Sequence, residues 1–191
     1  MPRSSSHPET EVKLRLPSAV AGRRLLRRFG FKVQIRRVFE SNILFDTPDF
    51  GLRRINNLLR LRLAGRRYLL TFKGTLLAGR YKSREEIESD VADPVAVTKI
   101  LAGLGYKPAF RYEKYRTVYR KPRRSGLVAL DETPFGDFLE IEAAPRSIDR
   151  IARELGFSPD DYITAGYGAL YLEHCRSIGA LPGDMVFTGR R

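Results

Sequence analysis

The chain has 191 residues, with 35 Lys and Arg against 22 Asp and Glu, and a formal charge of +13 with histidine neutral. At 42% hydrophobic residues it can bury a core, which excludes wholesale disorder. One cysteine, Cys175, and two histidines, His7 and His174, exclude a disulfide framework and a Cys/His zinc cluster, so any catalytic metal must rest on carboxylates.

Met1 to Pro8 reads as a flexible lead-in without an apolar signal region, and residues 182–191 as a tail, leaving one domain over residues 9–181. No apolar run approaches the roughly 18 residues needed to span a bilayer, so no membrane partner is expected and the cytoplasm is the default location.

In chain order, the dominant signal is strict alternation, which marks half-buried strands. Glu9, Glu11, Lys13 and Arg15 alternate with Val12, Leu14 and Leu16, and Pro17 ends the run. Ser18 is placed to cap a helix over residues 19–29. Arg60 and Arg62 alternate with leucines over residues 59–63, and Thr71 and Lys73 oppose Leu70 and Phe72. Arg84, Glu86 and Glu88 share a face, and a second helix is expected over residues 94–104 behind Asp93. Lys114 aligns with Arg116 over residues 112–118, Asp131 follows Val128-Ala-Leu130, and Glu140 aligns with Glu142 over residues 138–142. Helices are expected over residues 148–155, opened by Ser147, and from about 160 to 174; Gly30, Gly105 and Gly156 stand where helix C-termini favour glycine.

A single charged strand face is ordinarily a solvated one. Here eight cations (Lys13, Arg15, Arg60, Arg62, Lys73, Arg84, Lys114, Arg116) and seven acids (Glu9, Glu11, Glu86, Glu88, Asp131, Glu140, Glu142) repeat on polar faces backed by apolar ones. Helices can cover the apolar side, and closing the sheet into a barrel with the charges inward would remove the edge strands. Such an interior is costly to hold unless it serves ligands. Clustered Arg and Lys suit several phosphate groups, and acids two residues apart suit Mg²⁺ or Mn²⁺ through oxygen. Together they suit a metal–polyphosphate complex and phosphoryl transfer.

The ordered set Glu9-Thr-Glu11-Val-Lys13, Phe45-Asp-Thr-Pro48, Leu61-Arg62, Leu70-Thr-Phe-Lys-Gly74, Arg84-Glu-Glu-Ile-Glu88, Glu113-Lys-Tyr-Arg116, Leu130-Asp131 and Gly136-Asp-Phe-Leu-Glu-Ile-Glu142 resembles the CYTH superfamily, or triphosphate tunnel metalloenzymes, over roughly residues 9 to 172. The resemblance implies an α+β fold, a closed eight-stranded antiparallel β-barrel with a charged interior flanked by helices, acting on a triphosphate with Mg²⁺ or Mn²⁺. By position it implies Glu9, Glu11, Glu140 and Glu142 as metal carboxylates and Asp131 as a further metal or water-orienting group. Lys13, Arg60, Arg62, Lys73, Lys114 and Arg116 would grip the triphosphate; Glu9, Glu11, Lys73 and Asp131 are the catalytic candidates. Glu86 and Glu88 are either further tunnel acids or partners of Arg84 and Arg60.

Three activities compete within the resemblance: hydrolysis of inorganic triphosphate, hydrolysis of thiamine triphosphate, and cyclisation of ATP to cyclic AMP and pyrophosphate. Animal thiamine triphosphatases carry a tyrosine where this chain has Leu44, which argues against the second. Cyclisation needs base and ribose contacts, and no distinct base-reading set stands out, although Phe110, Tyr112, Tyr162 and Tyr167 could stack on a base. The reading favoured is a metal-dependent triphosphatase, with a class IV-type adenylate cyclase as its alternative. A reading of another class, a basic nucleic-acid-binding module, rests on the interleaved residues 111–124; no sequence-specific nucleic acid is expected, and the Arg23, Arg24, Arg27 and Arg28 run reads as the solvated face of the first helix. Relatives of this kind occur as monomers and homodimers.

Overall fold

Alternating strands with one charged face can leave no edge exposed only by closing, and in the computed structural model eight antiparallel strands do so. The structure describes residues 5–75 and 80–189, with side chains from Thr10 onward. The strands are β1 (Ser5–Leu16), β2 (Lys32–Asp46), β3 (Leu58–Ala64), β4 (Arg67–Lys73), β5 (Lys82–Val91), β6 (Lys107–Arg120), β7 (Leu127–Thr133) and β8 (Gly136–Glu142). Around the barrel they run β1-β5-β4-β3-β2-β6-β7-β8, with β1 closing onto β8 through Glu11↔Glu142 and Lys13↔Glu140.

Five helices flank the barrel: α1 (Ala19–Arg28), α2 (Gly51–Arg54), α3 (Pro94–Gly103), α4 (Pro145–Glu154) and α5 (Tyr167–Ser177). Ser18 Oγ accepts from the Ala21 N–H at 3.1 Å, and Asp137 Oδ2 accepts from the Ala19 N–H, so two side chains satisfy the first turn of α1. Asp93 caps α3 in the same way, accepting from Val95 and Ala96 at 2.9 Å. Helix α4 starts earlier than Ser147 suggests, because Pro145 is preorganised for a first helical turn. Gly30, Gly105 and Gly156 all have positive φ, as expected after helix ends.

The apolar faces of β1, β7 and β8 (Val12, Leu14, Val128, Leu130, Leu139, Ile141) pack beneath Leu26 of α1 and Ile148 and Ile151 of α4. Each fully buried aliphatic side chain there contributes about 2 kcal/mol. Gly22 marks the closest approach: a Cβ there would lie 2.6 Å from Leu16 Cδ1. A second cluster, Tyr112, Phe138, Tyr167, Leu170 and Met185, joins inward-facing aromatics of β6 and β8 to α5.

Four features depart from the sequence reading. Strand β1 begins at Ser5 instead of Glu9, because β5 extends far enough to pair it from Ser5↔Glu88 onward. Strand β2 lacks a readable alternation: register shifts between Val33 and Ile35, Ile35 and Val38, and Leu44 and Phe45 interrupt its ends, and the regular stretch between them, residues 38–44, mixes polar and apolar residues on both faces. The helix expected from 160 to 174 is instead a 3-10 turn at Pro159–Asp161, an extended bridge of Ile163 onto Lys13, and α5. Ile163 and Lys13 exchange two 2.9 Å backbone hydrogen bonds, and that outweighs local helix preference. In the tail, Met185 bridges β6, accepting from the Glu113 N–H at 2.8 Å and donating to Arg111 O at 2.9 Å.

Candidate active site

The inward positions of the strands line a cavity of about 360 Å³. It brings together Glu11, Lys13, Arg60, Arg62, Lys73, Arg84, Glu86, Glu88, Lys114, Arg116, Glu140 and Glu142, twelve of the fifteen charged strand-face residues singled out from sequence. Glu9 lies opposite Arg84 on β1, and its side chain is outside the described residues. Asp131 is fully buried. Its carboxylate accepts from Lys114 Nζ (2.9 Å), Arg116 Nε and Nη2 (2.7 and 2.6 Å) and the Tyr167 hydroxyl (2.7 Å), so it anchors two cations from behind.

The wall formed by β1 and β8 carries the acids. Lys13 Nζ is 2.6 Å from Glu11 Oε1 and 3.1 Å from Glu140 Oε2, and Lys82 also reaches Glu11. Burial and Glu140 oppose ionisation of Glu11, but the ammonium groups of Lys13, Lys82 and Lys73 outweigh them and hold it well below the usual carboxylate range. Lys82 responds in the opposite direction: burial and the neighbouring Lys13 push it down to about 8. Glu142 differs from the other cavity acids. Among the described residues it has no ion-pair partner, and burial together with Glu140 raises its carboxyl.

The opposite walls carry the cations. Arg62 meets Glu88 at 2.7 Å, Lys73 meets Glu86 at 3.0 Å, and Arg60 donates to the Tyr112 hydroxyl and to Thr71, both at 3.2 Å. Arg116 bridges Asp131 to Glu140 at 2.5 Å. Glu86 and Glu88 therefore do pair with arginine: Arg60, one of the two partners expected, lies 3.7 and 3.9 Å from them, and Arg62 adds to Glu88. Among the described residues, the buried Nε groups of Arg60 and Arg62 have no hydrogen-bond partner, and phosphate oxygens are acceptors of the kind they require. The first turn of α5, Gly166 to Gly168, also borders the cavity and adds its partial positive charge.

Sequence reasoning missed Glu40, Lys82 and the part played by Tyr167. Glu40 is buried between Arg62 (3.8 Å) and Lys114 (3.6 Å). Burial works against its charge, yet Lys114, Arg116 and Arg62 hold its carboxyl down at about 2. It was hidden because its stretch of β2 mixes polar and apolar residues on both faces: Glu40 alternates with Phe39 and Ser41 and shares its face with Asn42 and Leu44. Lys82 was legible: it sits two residues before Arg84, on the same alternating face. Tyr167 presents its ring 5.1 Å from both Lys13 and Lys114 Nζ, a cation–π floor under the two ammonium groups. Arg15, counted among the inward cations, is instead exposed and stacks on the Phe138 ring at 4.8 Å, beyond the cavity.

No ready-made group of three or more metal ligands exists among the described residues. The donor set nevertheless fits a magnesium-like ion, which binds through one or two carboxylates and takes its remaining ligands from water and substrate phosphates. The under-compensated Glu142, beside Glu140 and opposite Glu11, is where such a charge fits.

The CYTH domain profile matches residues 7–167. The chain belongs to the CYTH domain family. This CYTH chain is 28% identical over 169 residues to "Putative adenylate cyclase MJ0240" of Methanocaldococcus jannaschii, covering 83% of itself and 95% of that protein. Among solved structures, it superposes on the PH1819 protein of Pyrococcus horikoshii with a TM-score of 0.73 at 24% identity, covering 87% of this chain and 99% of that one. A Hippeastrum protein, described as a putative adenylyl cyclase with a dominant triphosphatase activity, matches with a TM-score of 0.62 at 21% identity over 91% and 97% of the two chains.

Proposed function

We propose that this CYTH protein is a metal-dependent triphosphatase that hydrolyses inorganic triphosphate to diphosphate and orthophosphate. The observation that carries the reading is the charge balance of the cavity: eight cations against five acids on its surface, with Glu40 and Asp131 buried behind them. A bare triphosphate would leave negative charge uncompensated on such nearly neutral walls. A triphosphate accompanied by a divalent cation would not.

Glu11, Glu140 and Glu142, with Glu9 on the same strand face, would hold Mg²⁺ or Mn²⁺. When bound, the ion supplies charge neutralisation and an oriented water. Arg60, Arg62, Lys73, Lys114 and Arg116 hold the phosphate oxygens in line and stabilise the charge that develops as the P–O–P bond breaks. Asp131 and Tyr167 keep Lys114 and Arg116 in place, so those groups need not reorganise during reaction.

Hydrolysis is favoured over cyclisation because the cavity lies at the small end of the roughly 300–1,000 Å³ range of ligand sites and its lining is mostly charged. The second reading, ATP cyclisation, draws on the relative's name and on an apolar corner of Leu44, Leu58 and Tyr112 where a base could rest.

The test is one assay series at alkaline pH with Mg²⁺ or Mn²⁺, offering inorganic triphosphate, ATP and thiamine triphosphate and resolving phosphate, pyrophosphate and cyclic AMP. Phosphate chiefly from inorganic triphosphate is expected; pyrophosphate with cyclic AMP from ATP would replace this reading with the cyclase. In Lys73→Ala and Glu9→Gln, phosphate release should fall by about 100-fold or more, and full activity in both would overturn the assignment of the site.

A further inference from the structure

The cavity does not account for the charge of the chain. Its cations and acids, with Glu40 and Asp131, differ by one, so nearly all of the +13 lies elsewhere. It is unevenly distributed. Residues 17–39 contain seven Arg or Lys and no acid, and residues 120–124 contain four more, again with none.

Strand pairing brings these two stretches together, with Lys32↔Arg120 and Val33↔Tyr119 in register. Side-chain contacts make the face continuous. Arg23 and Arg37 share Glu132 (3.4 and 2.9 Å). Lys121 lies 5.6 Å from the Phe31 ring and shares Glu154 with Arg124. Two acids, Glu132 of β7 and Glu154 of α4, thus pair with four of the eleven cations, and nine of the eleven are exposed.

We infer that this face of α1, outer β2 and the β6–β7 turn binds the phosphodiester backbone of a polynucleotide without reading its sequence. Clustered, mostly arginine cations on one surface form an electrostatic footprint suited to many evenly charged phosphates. A second copy of the chain is a poor occupant, because eleven like charges would face their own kind. A bilayer is also a poor fit, because the apolar side of α1 (Ala19, Gly22, Leu26) is spent on the barrel and the large apolar side chains exposed on these elements are only Val20, Val33 and Ile35, with no aromatic among them to anchor. The inference does not depend on the activity proposed for the cavity.

The test is fluorescence anisotropy of a labelled 30-nucleotide RNA of mixed sequence with the full chain, titrated between 50 and 300 mM KCl. Binding should weaken steeply with salt, each phosphate contact adding about 0.7 to the log–log slope. A variant with Arg24, Arg28, Arg120 and Arg123 all changed to Ala, none of them in the cavity, should bind at least tenfold more weakly at 100 mM KCl. Its slope should be shallower and its phosphate release unchanged. Inorganic triphosphate with Mg²⁺ should not displace the RNA. The inference is overturned if the unaltered protein fails to bind at 50 mM KCl, if triphosphate competes, if the variant binds equally well, or if phosphatidylserine vesicles bind and the RNA does not.

Discussion

The barrel interior and the outer face of α1, β2 and the β6–β7 turn are both rich in arginine, yet they are built on opposite plans. Inside, every described cation is held on a strand with carboxylates nearby, as Arg116 is by Asp131 and Glu140. Outside, among the described residues, only four of eleven cations meet an acid, two at Glu132 and two at Glu154. Pairing fixes a guanidinium in place and leaves little net field; surplus creates a field and leaves the side chains loose. The same residue type therefore serves geometry in one region and long-range attraction in the other.

The largest effect that separates the two regions should come from the metal wall. Glu140→Gln is expected to lower phosphate release by about 100-fold or more and to weaken Mn²⁺ binding measured by calorimetry by about 10–100-fold; unchanged Mn²⁺ affinity would remove Glu140 from the metal set. Next, Asp131→Asn should destabilise the chain in urea by about 3–5 kcal/mol, since it strands Lys114 and Arg116 in a buried site. An isostable variant would mean that water reaches these groups.

Glu40 gives a pH test. Its carboxyl sits at about 2 in the folded chain against an ordinary 4.5. A depressed carboxylate contributes stability fully above pH 4.5, and that contribution is lost as pH falls toward 2, a total on the order of 3 kcal/mol. The acid limb of the stability curve should therefore be shallower in Glu40→Gln, and superimposable curves would refute the pairing. The smallest effect should lie outside: Arg28→Ala and Arg123→Ala should each change unfolding free energy by less than about 0.5 kcal/mol. A larger loss would show that the outer face holds the fold together, as the inner one does.

Much of this was legible in the sequence wherever a strand keeps its period. The faces of β3, β4, β6 and β8 follow directly from alternation, and they deliver Arg60, Arg62, Lys73, Lys114, Arg116, Glu140 and Glu142 to one cavity. Where both faces of a strand mix polar and apolar residues, as over residues 38–44 of β2, Glu40 disappears from view although it is buried. The bridge at Ile163 was invisible for a different reason: it depends on where β5 ends beside β1, a fact of the assembled barrel and not of the local residues. Asp131 was singled out by position as a metal or water-orienting group; its place behind Lys114 and Arg116, off the cavity lining, could be seen only in three dimensions.

Closure of the sheet between β1 and β8 joins the first of the described strands to the last one. During synthesis β1 must wait for Glu142 to emerge before both its edges are covered, and contacts so distant in sequence make folding slow. Through that interval Val12, Leu14 and Leu16 stand unpaired, a segment able to pair with other nascent chains. Glu11, Lys13 and Arg15, interleaved with them, act as charged gatekeepers against that outcome. The alternation that lines the finished cavity also guards the unfinished chain.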